Sequence, residues 1–210
     1  MNEKLFITAS CTLSDQKVIL NGKEHHFQAN TFHEFITAVY QHFSVCYPKF
    51  YKMDNLSKLG FISTELLLKE ISLEKFDLNK TGIILSNSAS SLDCDLTHQQ
   101  TISDRKNYFP SPAVFVYTLP NIMIGEICIK HKITGEGTFF VHKQFDAGFL
   151  HQYITQLFTD NVIESCITGW VEQYRENYQS VVYFIEKRQT NDGFVIFEPS
   201  EMTKIYSEIN

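Results

Sequence analysis

The residues whose types could support chemistry lie around one short segment of this sequence. Thr138-Phe139-Phe140-Val141 is a run of β-branched and aromatic residues, which is typical of a strand with both faces covered. His142-Lys143-Gln144 follows, and a helical pattern begins at about Phe145. A sharp turn between a strand and a helix is a common way to present one reactive side chain. No residue in this turn is an obvious activated nucleophile, and no cysteine lies between Cys128 and Cys166.

Other residue types that often carry chemistry are scattered. His25 and His26 are adjacent, so in a strand they point to opposite faces and do not favour a shared metal ion. The polar run over residues 87–91 could bind an anion through backbone N–H groups, although turn formation alone accounts for it. The five cysteines lack a C-x-x-C pair, which predicts reduced thiols rather than disulfides or a zinc site. We therefore predict no metal site and no cofactor.

Composition narrows the class of protein. A chain of 210 residues with 43% hydrophobic and 20% charged residues is most simply one globular domain over residues 1–210. The net charge of −6 and the absence of a basic run argue against nucleic-acid binding. No apolar run reaches the roughly 18 residues that span a bilayer, and the N-terminus does not resemble a secretory signal. The sequence thus predicts a cytoplasmic protein without a membrane span.

Strand patterns alternate with helical patterns along the chain. Thr31 is placed to cap a helix over residues 31–43, and Asp54 is placed to cap one over residues 54–70. Asn21-Gly22 predicts the tight turn of a hairpin. Further strands are predicted over residues 4–11, 81–86, 162–170, 181–186 and 194–197, the last two as a closing pair. This alternation indicates an α/β fold with a mixed or parallel sheet flanked by helices.

Four short motifs occur in a fixed order around the central segment. They are Ser111-Pro112, Leu119-Pro120-Asn121, Gly135-Glu136-Gly137-Thr138 and Gly148. This stretch resembles the N-terminal half of the β-ketoacyl-acyl-carrier-protein synthases of the thiolase superfamily. In that family the last strand of the stretch leads to a nucleophilic cysteine that precedes a glycine. The resemblance implies half of a thiolase-like fold.

The nucleophile of that family has no counterpart here. Counting forward from Gly135 places Gln144 at its position, whereas counting back from Gly148 places Phe145 there. Neither side chain can hold a thioester. A complete synthase is about twice as long, and its second half supplies two histidines, or a histidine and an asparagine, and a lysine. The resemblance therefore implies no catalytic residue for condensation and favours a protein that is not an enzyme.

Glutamine at the nucleophile position is similar to the chain-length factors of type II polyketide systems, which pair with an active synthase and shape its acyl tunnel. The resemblance thus implies a catalytically degenerate subunit that supports acyl-chain elongation in fatty-acid or polyketide-type biosynthesis. Its partner would be a full-length ketosynthase or a second copy of itself. The predicted interface is the strand that resembles the dimer-interface strand of the family, namely Thr138, Phe139, Phe140 and Val141.

Two alternative functions stay open. One is a malonyl-carrier decarboxylase, because glutamine at this position leaves decarboxylation possible in related proteins. The other is a binding module for acyl-carrier protein. An acidic chain complements an acidic carrier poorly, so the second alternative requires a local basic patch, for example around Lys130, Lys132 and Lys143.

Overall fold

One mixed sheet organises the protein in a computed structural model that describes residues 4–106, 108–188 and 193–208. Eight strands make up this sheet. They are β1 (Lys4–Ser14), β2 (Lys17–Leu20), β3 (Lys23–His26), β4 (Thr81–Asn87), β5 (Gly137–Val141), β6 (Ser165–Tyr174), β7 (Asn177–Arg188) and β8 (Val195–Ile196).

Seven α-helices are described, together with two short 3-10 turns over Pro48–Lys52 and Leu73–Lys75. The helices are α1 (Phe32–His42), α2 (Asn55–Leu67), α3 (Leu92–Ile102), α4 (Pro112–Val116), α5 (Ile122–His131), α6 (Ala147–Thr159) and α7 (Pro199–Ser207). The predicted α/β architecture, with a mixed sheet flanked by helices, is confirmed.

The strand order is β3-β2-β1-β7-β6-β4-β5, and β8 also pairs with β1. β4 runs parallel to both β5 and β6, whereas β7 is antiparallel to β6 and β1. Two crossovers make the parallel part, one through α3, α4 and α5 and one through α6. The carboxyl ends of β4, β5 and β6 therefore lie at the same end of the sheet.

Helices cover both faces of the sheet, and the side chains of β4 show the alternation. Ile83 and Leu85 join a cluster with α1, α2 and α5, whereas Ile84 joins a second cluster with α6 and α7. Successive side chains of a strand point to opposite faces, so each central strand contributes to both clusters. This explains why these strands read as continuous apolar runs in the sequence.

The predicted helix starts are confirmed. The Thr31 hydroxyl accepts a hydrogen bond from the N–H of Glu34 at 3.2 Å, and the Glu34 carboxylate reaches back to the N–H of Asn30 at 2.7 Å. The Asp54 carboxylate accepts from the N–H groups of Leu56 and Ser57. Each side chain satisfies donors that the first helical turn leaves without a partner.

The predicted closing pair of strands is wrong. β8 pairs with β1 through Phe6 and Ile196, not with β7. The reason is that β1 and β6 already occupy the two edges of β7. Residues 191 and 192 of the predicted connecting turn lie outside the described residues. β6 is also shifted from the predicted range of 162–170. It begins at Ser165, so Val162 and Ile163 lie outside it, and it continues to Tyr174, where it forms a hairpin with β7 through Arg175 and Glu176.

Candidate functional site

The segment singled out from the sequence lies at the carboxyl ends of the parallel strands. His142 follows β5 directly, and its N–H donates to the carbonyl of Asn87, the last residue of β4, at 2.9 Å. Trp170 of β6 pairs with Ser86, the residue of β4 that precedes Asn87. In open α/β sheets, the crevice outside the carboxyl ends of the strands is the usual place for a ligand site.

Gln144 and Phe145, the two candidates for the nucleophile position, have different surroundings. Gln144 is exposed in the loop, whereas Phe145 is half-buried. The Phe145 ring stacks on Tyr206 of α7, with ring centroids 4.6 Å apart, and its centroid lies 6.3 Å from that of Trp170 and 6.5 Å from that of Tyr183. The loop, α7, β6 and β7 therefore contribute one side chain each to an aromatic cluster.

Helix α6 begins immediately after this loop. Asp146 is its N-cap, and the carboxylate accepts a hydrogen bond from the N–H of Phe149 at 2.8 Å. Burial raises the pKa of the nearby Tyr183 hydroxyl well above its usual value, and that hydroxyl donates to the carbonyl of Met202 at 2.7 Å. Neither the Gln144 amide nor the Phe145 ring can form a thioester, and the Tyr183 oxygen stays protonated and engaged.

The histidines near this segment lie in separate aromatic contacts. The His142 ring is 4.6 Å from that of Phe149, and its buried Nε2 has no hydrogen-bond partner in the described part of the chain. His151 contacts Phe197 with ring centroids 5.0 Å apart. The structure therefore brings neither histidine to a nucleophile as a general base.

The polar run over residues 87–91 is not a free anion site. The carboxylate of Glu172, near the end of β6, accepts hydrogen bonds from the N–H of Ser88 at 2.6 Å and from that of Ala89 at 3.2 Å. The Ser88 hydroxyl donates to the same carboxylate at 2.5 Å. The backbone donors that the sequence offered to an anion are thus occupied by the chain itself.

Lys130, Lys132 and Lys143 do not form one basic patch. Lys130 and Lys132 precede the amino end of β5, whereas Lys143 follows its carboxyl end. The five residues of β5 separate the two groups by about 16 Å. Lys130 is also engaged, because its ammonium group donates to the carbonyl of Cys46 at 2.9 Å.

β5, the predicted interface strand, lies at an edge of the sheet. Phe139 and Phe140 contact the clusters on opposite faces, as expected for a strand covered on both faces, but both are only half-buried and Val141 is 56% exposed. Within the described ranges, β5 pairs with β4 alone. The N–H of Ile83 donates to the carbonyl of Glu136, and the N–H of His142 donates to the carbonyl of Asn87. Because alternate residues of a parallel strand bond to the same neighbour, the N–H and C=O groups of residues 137, 139 and 141 point away from β4.

Several exposed apolar side chains lie on α3, on α4 and just after α4, and we call them the α3–α4 surface. The hydroxyl of Ser91 donates to the carbonyl of Thr118 at 2.5 Å, which places the start of α3 beside the end of α4. At the carboxyl end of β5, Val141 pairs with Asn87, and Asn87 precedes Leu92, the first residue of this surface, by five residues. The exposed apolar residues that define it are Leu92, Leu96, Phe115, Val116 and Leu119.

An open cavity of about 280 Å³ lies between α3, α4 and the start of α2. Cys94, Val114 and Tyr117 contribute to its wall, together with the carboxylate of Asp54. Burial raises the pKa of both the Cys94 thiol and the Tyr117 hydroxyl to about 12, so both groups stay protonated at neutral pH. Sequence reasoning missed this cavity, because its residues come from three distant segments that share no pattern.

No group of three or more histidine, cysteine, aspartate or glutamate side chains is arranged to hold a metal ion in residues 4–106, 108–188 and 193–208. No helix in those ranges is both long enough and apolar enough to cross a bilayer.

Known proteins resemble this chain in structure rather than in sequence. No family model matches it, and no curated protein matches it. The structure of the ishigamide ketosynthase/chain length factor superposes on 90% of this chain with a TM-score of 0.66 and 14% identity. The chain has the ketosynthase fold. This confirms the thiolase-like fold that the motifs around residues 111–148 predicted.

Two further structures support the same fold. The ketosynthase ApeO in complex with its chain length factor ApeC from Xenorhabdus doucetiae matches 98% of this chain, with a TM-score of 0.59 and 12% identity. The AntDE:AntF complex, a type II polyketide ketosynthase with its acyl-carrier protein, matches 91%, with a TM-score of 0.60 and 14% identity. This chain spans 63% of the ishigamide chain and 64% of the AntDE:AntF chain, but 91% of the matched ApeO–ApeC chain.

Proposed function

We propose that this protein is a ketosynthase-like subunit that performs no condensation itself and pairs with an active, full-length ketosynthase. In this complex it acts as a chain-length factor for acyl-chain elongation in polyketide-type or fatty-acid-type synthesis. The structures with the same fold include ketosynthases in complex with a chain length factor. The lack of a nucleophile at Gln144 and Phe145 supports a role without covalent catalysis.

The open edge of β5 is the observation that carries this proposal. The opposite edge of the sheet is β3, whose sequence Lys-Glu-His-His is the charged kind that discourages pairing with another chain. β5 has the sequence Gly-Thr-Phe-Phe-Val, with an exposed valine and outward N–H and C=O groups. Such an edge favours the addition of a strand from a partner.

The α3–α4 surface extends this edge into a larger docking surface. Its five apolar residues are more than two-fifths exposed in the isolated chain, and a cluster of that kind is typical of a surface that a partner covers. The cavity between α3 and α4 lies next to this surface. A partner seated there would cover its mouth, and the cavity would then take the far end of an acyl chain that the partner elongates.

A matched pair of valine substitutions tests the pairing. Val141→Lys places a charge at the proposed contact, whereas Val162→Lys places one at an exposed valine before β6, away from the carboxyl end of β5. Each variant is co-expressed with the full-length ketosynthases of the source organism, and binding is measured by co-purification and by titration. We expect Val141→Lys to weaken binding at least about tenfold and Val162→Lys to leave it unchanged.

Both substituted side chains are exposed, so thermal unfolding of the two isolated variants should match that of the wild type. Retention of a ketosynthase by Val141→Lys with wild-type affinity would overturn the proposed contact. If the wild-type chain retained no ketosynthase at all, the proposed function would be wrong.

A further inference from the structure

The Glu172 carboxylate forms a three-donor contact with the loop that joins β4 to α3. One carboxylate oxygen accepts from both the N–H and the O–H of Ser88, at 2.6 and 2.5 Å, and the other accepts from the N–H of Ala89 at 3.2 Å. Hydrogen bonds to an ionised acceptor are roughly twice as strong as those between neutral groups. This contact therefore holds the start of the loop to β6.

The rest of the loop is fixed to the elements of the docking surface. Asn87 and Ser90 exchange two hydrogen bonds of 2.9 Å within the loop. Asn87 also accepts from the N–H of His142 at the end of β5, and Ser91 donates to the carbonyl of Thr118 beside α4. The loop thus links β6, β5, α3 and α4. Its conformation therefore determines the position of the exposed Leu92 relative to Val141.

We propose that Glu172 is a positioning residue for partner docking. It holds the loop over residues 87–91 so that the edge of β5 and the α3–α4 surface form one continuous face. This inference rests on the proposed function and names a residue through which that docking surface is maintained. Glu172 would not touch the partner's reacting groups, and its effect on binding passes through Ser88 and Ala89.

The chemistry of the contact requires a carboxylate. A glutamine at position 172 could still accept from Ser88 through its carbonyl oxygen, but its NH₂ group would face the Ala89 N–H, and two donors cannot bond each other. Glu172→Gln should therefore lose part of the contact, and Glu172→Ala should lose all of it. Glu164→Gln is the matched control, because Glu164 lies before the other end of β6 and pairs with the exposed Lys80 at 2.7 Å.

Two measurements on the full chain test the proposal. The first is amide hydrogen exchange at Ser88 and Ala89 in the isolated protein. We expect exchange to accelerate by roughly 10- to 100-fold in Glu172→Ala, by less in Glu172→Gln, and not at all in Glu164→Gln. The second is the dissociation constant for the ketosynthase that the wild-type chain retains, which should rise in the same order.

Each outcome decides the matter. Faster exchange with an unchanged dissociation constant would overturn the docking role, because the loop would then be irrelevant to the partner. Unchanged exchange would overturn the positioning role itself. Weaker binding matched by an equal loss in Glu164→Gln would also overturn it. If the wild-type chain bound no ketosynthase, the proposed function would fail and the docking role with it, whereas the exchange result would still report on the loop. Glu172→Gln nearly preserves the side-chain volume and serves as the informative variant should Glu172→Ala fail to fold.

Discussion

At the scale of single residues, Gly169 sets how closely β6 and β7 approach. A Cβ atom at this position would lie 1.9 Å from the carbonyl oxygen of Val181, and the backbone there has a φ of +154°. Since the obstacle is backbone in the middle of the sheet, it cannot move without breaking the pairing of Gly169 with Val182. We expect Gly169→Ala to lower the free energy of unfolding by about 3 kcal/mol or more.

Gly125 in α5 provides the opposite case. A Cβ atom there would meet nothing within 4 Å, so Gly125→Ala should raise the free energy of unfolding by about 0.5–1 kcal/mol. Urea unfolding of the two variants gives both values from the transition midpoints. Equal stability of Gly169→Ala and the wild type would contradict the strand approach described above.

At the scale of elements, local signals in the sequence predicted the helix starts well. Thr31 with Glu34, and Asp54 with the apolar pattern behind it, are local features whose physical effect reaches only a few residues along the chain. The start of α6 is predicted at about Phe145, two residues before the helix begins at Ala147. Its actual cap, Asp146, was not singled out.

Strand neighbours could not be predicted in this way. Val195 and Ile196 read as a partner for β7, but whether an edge is free depends on every other strand of the sheet. The edge position of β5, the occupation of Ser88 and Ala89 by Glu172, and the cavity beside Cys94 likewise arise from contacts between distant segments. The motifs around residues 111–148 predicted the fold. The proposed docking surface could be recognised only from the three-dimensional structure.

The cap of α6 provides a prediction at this scale. Asp146→Ala removes the acceptor for the Phe149 N–H and should lower the free energy of unfolding by about 1 kcal/mol. The control is Asp160→Ala at the other end of α6, where a carboxylate gains nothing from the helix dipole and stability should change by less than about 0.5 kcal/mol. Thermal unfolding compares the two, and a larger loss at Asp160 would contradict the assigned cap.

At the scale of the whole molecule, the two edges of the sheet differ in kind. The β3 edge is charged, a composition that discourages association, whereas the β5 edge and the α3–α4 surface are apolar and exposed in the isolated chain. In the loop after β5, neither Gln144 nor Phe145 can hold a thioester. Both features agree with the proposed role, in which another subunit performs the reaction.

Product length is the measurement that tests this claim most directly. The partner ketosynthase is assayed with malonyl-carrier protein, with and without this chain, and the acyl products and released CO₂ are analysed by mass spectrometry. We predict that the chain alone releases no CO₂ and that adding it changes the distribution of product lengths. An unchanged distribution with the complex formed, or decarboxylation by the chain alone that is lost in Gln144→Ala, would contradict the account.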